Sequence, residues 1–227
     1  MDGSVLPLAA PRAERADAAR NRRVLLTTAR AMLAEQGGAE RLTMDALAER
    51  AGLGKGTVFR RFGTRAGIFQ ALLDDDERTF QEQVMAGPPP LGPGAEAAER
   101  LIAYGRARFA FLLDRREIAR AALDGSLPVP VGSETPLSRM HIRMLLARLP
   151  LDGADLDMLA LQLTAALDGP LLLYLSSADP LLEPAGIAER LTRAWQDLVQ
   201  RVCGQCVQNP EADDPVQQIR DSVPADD

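Results

Sequence analysis

The chain has 227 residues and a net charge of −6, with 46% hydrophobic but only 4% aromatic residues. Two cysteines and one histidine allow at most one disulfide and leave little for a metal centre or histidine catalysis. Alanine, leucine and arginine are abundant and β-branched residues sparse, which favours an all-α protein over one built on sheets.

The charge is unevenly placed. Residues 12–73 hold 12 lysines and arginines against 6 acids, so +6, and the rest of the chain carries −12. A basic head on an acidic body fits one nucleic-acid face and a body that stays off the duplex. Residues 1–17 are proline-bearing and aperiodic and are expected to be a disordered arm. Such an arm is a solvated tail or, with Arg12 and Arg15, a follower of the phosphate backbone. A first helix over 18–36 carries Leu25, Ala29, Met32 and Leu33 on one stripe and is closed by Gly37 and Gly38.

The stretch 43–62, TMDALAERAGLGKGTVFRRF, organises the head. Met44, Leu47, Ala48 and Ala51 fall at i, i+3, i+4 and i+7, one face of a helix. Thr43 is placed to cap that helix, and Gly52 stands where a left-handed residue would end it. A second short helix turns Val58 and Phe62 inward and Lys55, Thr57, Arg60 and Arg61 outward. The pair reads as a helix-turn-helix, whose second helix lies in a major groove. An ordinary αα-hairpin with a solvated basic face has the same spacing. The sequence GLGKGT at 52–57 lacks the glycine spacing and the preceding strand of a phosphate loop. A further helix opens at Gly63 and Thr64, with Ile68, Phe69, Leu72 and Leu73 on its apolar face, and continues through Phe80 towards Met85.

On these residues, 24–73 resemble the N-terminal domain of the tetracycline-repressor (TetR) family of bacterial transcriptional regulators. The stretch that carries the likeness is ARAMLAEQGGAERLTMDALAERAGLGKGTVFRRFGTRAGIFQALL. The resemblance implies a double-stranded DNA operator, with Thr43, Lys55, Gly56, Thr57, Phe59, Arg60, Arg61 and Arg65 in the DNA-facing set. Lys55, Gly56 and Thr57 would meet base edges or nearby phosphates, and Arg60, Arg61 and Arg65 would neutralise phosphates. The family usually has a tyrosine where this chain has Phe59, and a glutamate often stands near the start of the fourth helix, where this chain reads Thr64, Arg65, Ala66.

Beyond residue 73 the likeness is only in helical content and length. The proline-rich stretch 87–94 must be a loop. Helices are expected over 95–113, 115–123, 137–149, 156–176 and 184–206, with a kink at Asp168-Gly169-Pro170. The head is 18–73, the body 74–207, and an acidic disordered tail 208–227. In the family the body helices enclose a ligand cavity, for which Tyr104, Phe109, Phe111, Met140 and Met144 are the candidates; plain core packing is the alternative, and His141 reads as surface or core polar. Leu156, Leu159, Leu163 and Leu167, with Leu191, Trp195 and Leu198, form two long seams that suggest a four-helix interface between two copies, as the family dimerises.

Cys203 and Cys206 form a C-x-x-C, read as two incidental thiols, with a redox switch as the alternative. No run of 18 uncharged apolar residues and no signal pattern are present, so neither a membrane span nor export is expected. The reading is an all-α, cytoplasmic, cofactor-free regulator that binds a palindromic operator as a homodimer and answers an unidentified small-molecule effector. A thiol sensor, or a small helical enzyme or scaffold, are the alternatives.

Overall fold

The computed structural model describes residues 12–35, 37–123, 137–176 and 186–205. Among these are ten helices and no strand. The head holds α1 (Arg12–Leu33), α2 (Gly38–Arg41), α3 (Met44–Ala51) and α4 (Lys55–Phe62). The long α5 (Arg65–Ala86) leads to the body, made of α6 (Ala97–Asp114), α7 (Arg116–Ala121), α8 (Leu137–Leu146), α9 (Leu156–Ser176) and α10 (Ile187–Gln205).

Helix α1 begins at Arg12, so residues 12–17, expected in the arm, are helical. Residues 1–11 and the acidic tail lie outside the described residues, as does Cys206. The single turn α2, which the periodicity did not signal, precedes the Thr43 cap.

Two apolar cores form. The head core packs Leu25, Ala29 and Met32 of α1 against Leu47 of α3, Val58 and Phe62 of α4, and Ile68, Phe69 and Leu72 of α5. Burial of such side chains stabilises by roughly 1.5–3 kcal/mol each before entropy is counted. The body core takes Phe80 and Val84 from the far end of α5, with Leu101, Leu112, Ile142, Leu145, Leu163, Leu167 and Trp195. Helix α5 therefore belongs to both cores. Helix α7 crosses over as well: Ala119 and Ala122 sit in the head core.

Helix α9 runs through Pro170 without a break. Over Leu156–Leu173 it is long and apolar enough, by length and composition, to cross a membrane, although Asp157 and Asp168 keep it from being an uncharged run. It packs on α8 and α6, and Asp168 pairs with Arg108 of α6.

Candidate nucleic-acid interface

The turn between α3 and α4 is set by backbone hydrogen bonds. The Thr43 hydroxyl accepts from the Ala46 amide at 3.1 Å, so one donor of the first turn of α3 is satisfied. At the other end Gly52 adopts φ 64°, ψ 28°. Its amide donates to Glu49 O at 3.2 Å, and the Leu53 amide donates to Ala48 O at 3.0 Å. That pair of bonds around a left-handed glycine is a Schellman ending, which reverses the chain within three residues. Leu53 then packs against the head core.

Helix α4 is anchored by Val58, fully buried, and by Phe62. Because 58 and 62 are one turn apart, the opposite side faces out. Lys55, Gly56, Phe59, Arg60 and Arg61 are exposed and Thr57 is half-buried. Phe59, at 50% exposure, is a large apolar side chain held in solvent. The outward face borders α1: Asp17, Ala18 and Asn21 form a shallow groove with Thr57, Arg60 and Arg61. The α1 residues of this groove carried no signal in the sequence.

The cations of this face differ in how much of their hydrogen bonding is already used. Arg60 has the open setting expected of it. Lys55 Nζ lies 3.0 Å from Asp45 Oδ1, with both side chains more than 60% exposed, so the pair is screened and easily exchanged for a phosphate. Arg61 donates from Nη2 to the Ala18 carbonyl at 2.8 Å, pinning α4 to α1. Arg65 donates from Nε to Leu42 O at 2.8 Å and from Nη2 to Ala39 O. Its guanidinium also stacks on the Phe69 ring, 4.9 Å from the centroid. A guanidinium has five N–H donors, so both arginines keep some facing outward. Beside the phosphate role expected of them, Arg61 is a brace between α4 and α1, and Arg65 holds carbonyls at the end of α2. The Thr64 hydroxyl caps α5 by accepting from Gly67 N at 3.1 Å, without the family's glutamate.

In the body, Tyr104, Met140 and Met144 line a cavity of about 350 Å³, together with Phe80, Val84 and Met85 of α5. That volume is within the roughly 300–1,000 Å³ of small-molecule sites. Two of the expected lining residues do not line it. Phe109 meets Trp195 edge-on at 6.5 Å, and Phe111 is buried beside Phe80, with the Arg115 guanidinium 4.4 Å over its ring. His141 does line it. Burial, and then the nearby Arg100 charge, push its imidazole down to about 4, so it is neutral at pH 7. The Tyr104 hydroxyl donates to Ser138 Oγ at 2.7 Å.

The expected interface seam divides. Leu163, Leu167 and Trp195 turn inward and complete the chain's own core. The Trp195 indole donates from Nε1 to Leu101 O at 3.0 Å, across the α6–α10 contact. Leu156, Leu159 and Leu191 are half-buried against that core, and Leu198 is exposed. Helix α9 instead presents Met158 and Leu161, 50% and 45% exposed, on its outer side.

A short basic helix exposed beyond a glycine turn, on a head joined to an all-helical body, is the helix-turn-helix arrangement found in DNA-binding proteins. Residues 25–72 match the family model described as bacterial regulatory proteins, tetR family. That match covers the head, so residues 25–72 are similar to the domain this family model describes. The solved structure of a TetR-family transcriptional regulator from Rhodococcus sp. is 17% identical, with a TM-score of 0.56 over 82% of this chain and 100% of that one. A TetR-family transcriptional regulator from Pectobacterium atrosepticum is 19% identical, with a TM-score of 0.56 over 87% of this chain and 99% of that one. A transcriptional regulator of the TetR/AcrR family from Thermobifida fusca is 19% identical, with a TM-score of 0.51 over 82% and 98% of the two chains. At these identities the structures show the shared fold. No curated protein matches the sequence.

Proposed function

We propose that the protein is a cytoplasmic, non-enzymatic repressor that binds a short palindromic operator as a homodimer and is released by a small, largely apolar effector. The observation that carries the DNA reading is the outward face of α4, where Lys55, Gly56, Phe59 and Arg60 are exposed while Val58 and Phe62 fix the helix from behind. Lys55, Gly56 and Thr57, at the start of the helix, meet base edges or nearby phosphates. Gly56 adds no side chain to hold the backbone off the groove. Phe59 has no hydroxyl for a phosphate, and its ring suits a thymine methyl. Arg60 neutralises a phosphate, joined by the donors that Arg61 and Arg65 keep free.

The outer residues Met158 and Leu161 of α9 and Leu198 of α10 supply the apolar face for a second copy. Helix α5 links the two activities, since it bears cavity residues Phe80, Val84 and Met85 and head-core residues Ile68 and Phe69. An effector acts here only through different affinities for the DNA-competent and released states.

Footprinting on the DNA flanking the protein's own gene tests the reading. We expect protection of two inverted half-sites with centres about one duplex turn apart, lost on addition of an effector from a metabolite panel. A single unpaired footprint, or none that resists competitor DNA, would sink it. Replacing Cys203 and Cys206 together by serine leaves this regulation intact if the thiols are incidental; its loss would favour the redox alternative.

A further inference from the structure

Among the described residues three buried polar atoms lack a hydrogen-bond partner: Nε of Arg100, Nε of Arg108 and Nε2 of His141. Arg108 is compensated, because Glu77 and Asp168 both face it. Arg100 is not. It is 5% exposed and holds Val84 O from Nη2 at 3.4 Å, and no described carboxylate pairs with it. Arginine stays charged at any physiological pH, and a buried cation without a counter-ion is costly.

Its place in the fold explains what such a charge is for. Val84, whose carbonyl Arg100 holds, lines the 350 Å³ cavity. His141 also lines it and feels the Arg100 charge. Tyr104, one turn further along α6, is on the same wall. Glu77 is the one carboxylate among the lining residues, and Arg108 neutralises it at 2.6 Å. Of the charges at or behind this wall, Arg108 is matched by Glu77 and Asp168, and Arg100, which lies behind Val84 and does not itself line the cavity, has no ionic partner among the described residues. On the cavity side of Val84, His141 Nε2 has no hydrogen-bond partner among the described residues, and the residue is more than nine-tenths buried.

We propose that the cavity takes a monoanionic amphiphile, a carboxylate on an apolar chain or ring, with the carboxylate at His141 Nε2, on the side where the Arg100 charge lies behind Val84, and the apolar part along Phe80, Met85, Met140 and Met144. The assignment rests on reading the cavity as the effector site. A carboxylate supplies the missing counter-ion and accepts from an Nε2–H imidazole in one step. Flexible methionines fit an apolar part of variable shape. A neutral ligand leaves the Arg100 guanidinium uncompensated, and a cationic one is repelled by it.

The test is calorimetric titration of the full-length protein with decanoate, 1-decanol and decyltrimethylammonium, each below its micelle concentration. Decanoate is expected to bind at least about tenfold tighter than decanol, the size of effect one charge-assisted hydrogen bond brings. Decyltrimethylammonium should be the weakest. Arg100→Gln should bring decanoate and decanol together, and Arg100→Lys should keep most of the preference. The wild-type ratio needs no variant to fold. If decanol equals decanoate, or the cation binds best, the anion assignment is overturned while the cavity stands as a ligand site. If none of the three binds, the effector reading falls with it.

Discussion

Arg108 of α6 donates from Nη1 to Glu77 Oε2 of α5 at 2.6 Å, and both side chains are buried. This pair sits where the head and body cores meet, with Asp168 of α9 at 3.5 Å from the same guanidinium. Removing one partner of a buried pair leaves the other uncompensated. Glu77→Leu should therefore cost about 3–5 kcal/mol, read as a fall in the urea midpoint at unchanged slope. A loss below about 1 kcal/mol would mean that Asp168 takes over the guanidinium and that Glu77 is dispensable for folding.

The lone histidine gives a clean pH signature. Its folded-state value is pushed down to about 4 by burial and the Arg100 charge, and the unfolded chain titrates near 6.5. Between those values the unfolded state binds more protons. Stability is thus full above about pH 6.5 and falls as pH drops towards 4, by about 3 kcal/mol at most for a shift of this size. Arg100 of α6, Tyr104 of α6 and Glu77 of α5 are the charged or titratable groups around this wall. His141→Leu should flatten thermal stability across that interval; an unchanged slope would assign the loss to carboxylates elsewhere.

Arg60 and Arg65 should separate binding from folding. Arg60 is exposed with no structural bond assigned to it, so Arg60→Ala should leave the melting point unchanged and shallow the salt dependence of DNA binding by about 0.9 in log–log slope, one phosphate. Arg65 braces Leu42 O and Ala39 O, so Arg65→Ala should lower head stability by about 1–3 kcal/mol. Its slope change should be smaller than that of Arg60. Equal behaviour of the two variants would refute the division of labour.

Gly105 lies under the Trp195 indole: a Cβ there would stand 2.0 Å from Nε1. Gly105→Ala must displace the ring and strain its bond to Leu101 O, costing about 1–3 kcal/mol as overpacking does. Trp195 is the one tryptophan of the chain, so its fluorescence should shift as well. An unshifted spectrum with full stability would show that α10 moves away freely.

The head was legible because its signals are local. Thr43, Gly52, Val58 and Phe62 fix cap, turn and buried face within twenty residues, and the structure places each as the spacing implies. The partners of Arg61 and Arg65 were not legible. Ala18 O, Leu42 O and Ala39 O are backbone atoms 23–43 residues away, and no side-chain pattern marks them. The seam through Leu163 and Leu167 shows the other limit. Periodicity finds an apolar face without saying whether the chain or a second copy covers it, and here the chain covers that face while Met158 and Leu161 stay outside. Phe109 and Phe111 lie outside the cavity of Tyr104, Met140 and Met144 for a like reason, since aromatic content does not tell core from void.

Ala119 and Ala122 of the α7 region sit in the head core, and Arg115 and Arg30 both reach Asp76 of α5. The DNA-reading unit is therefore not a detachable cassette ending near residue 73. A graft that moves only residues 12–73 onto a foreign regulator would open a gap where the alanines sat and strip Arg30 of its acidic partners. Chimeras meant to swap operator choice need residues 115–122 and the acidic turn of α5 in the transplanted piece, or a recipient whose own equivalents fill the same space.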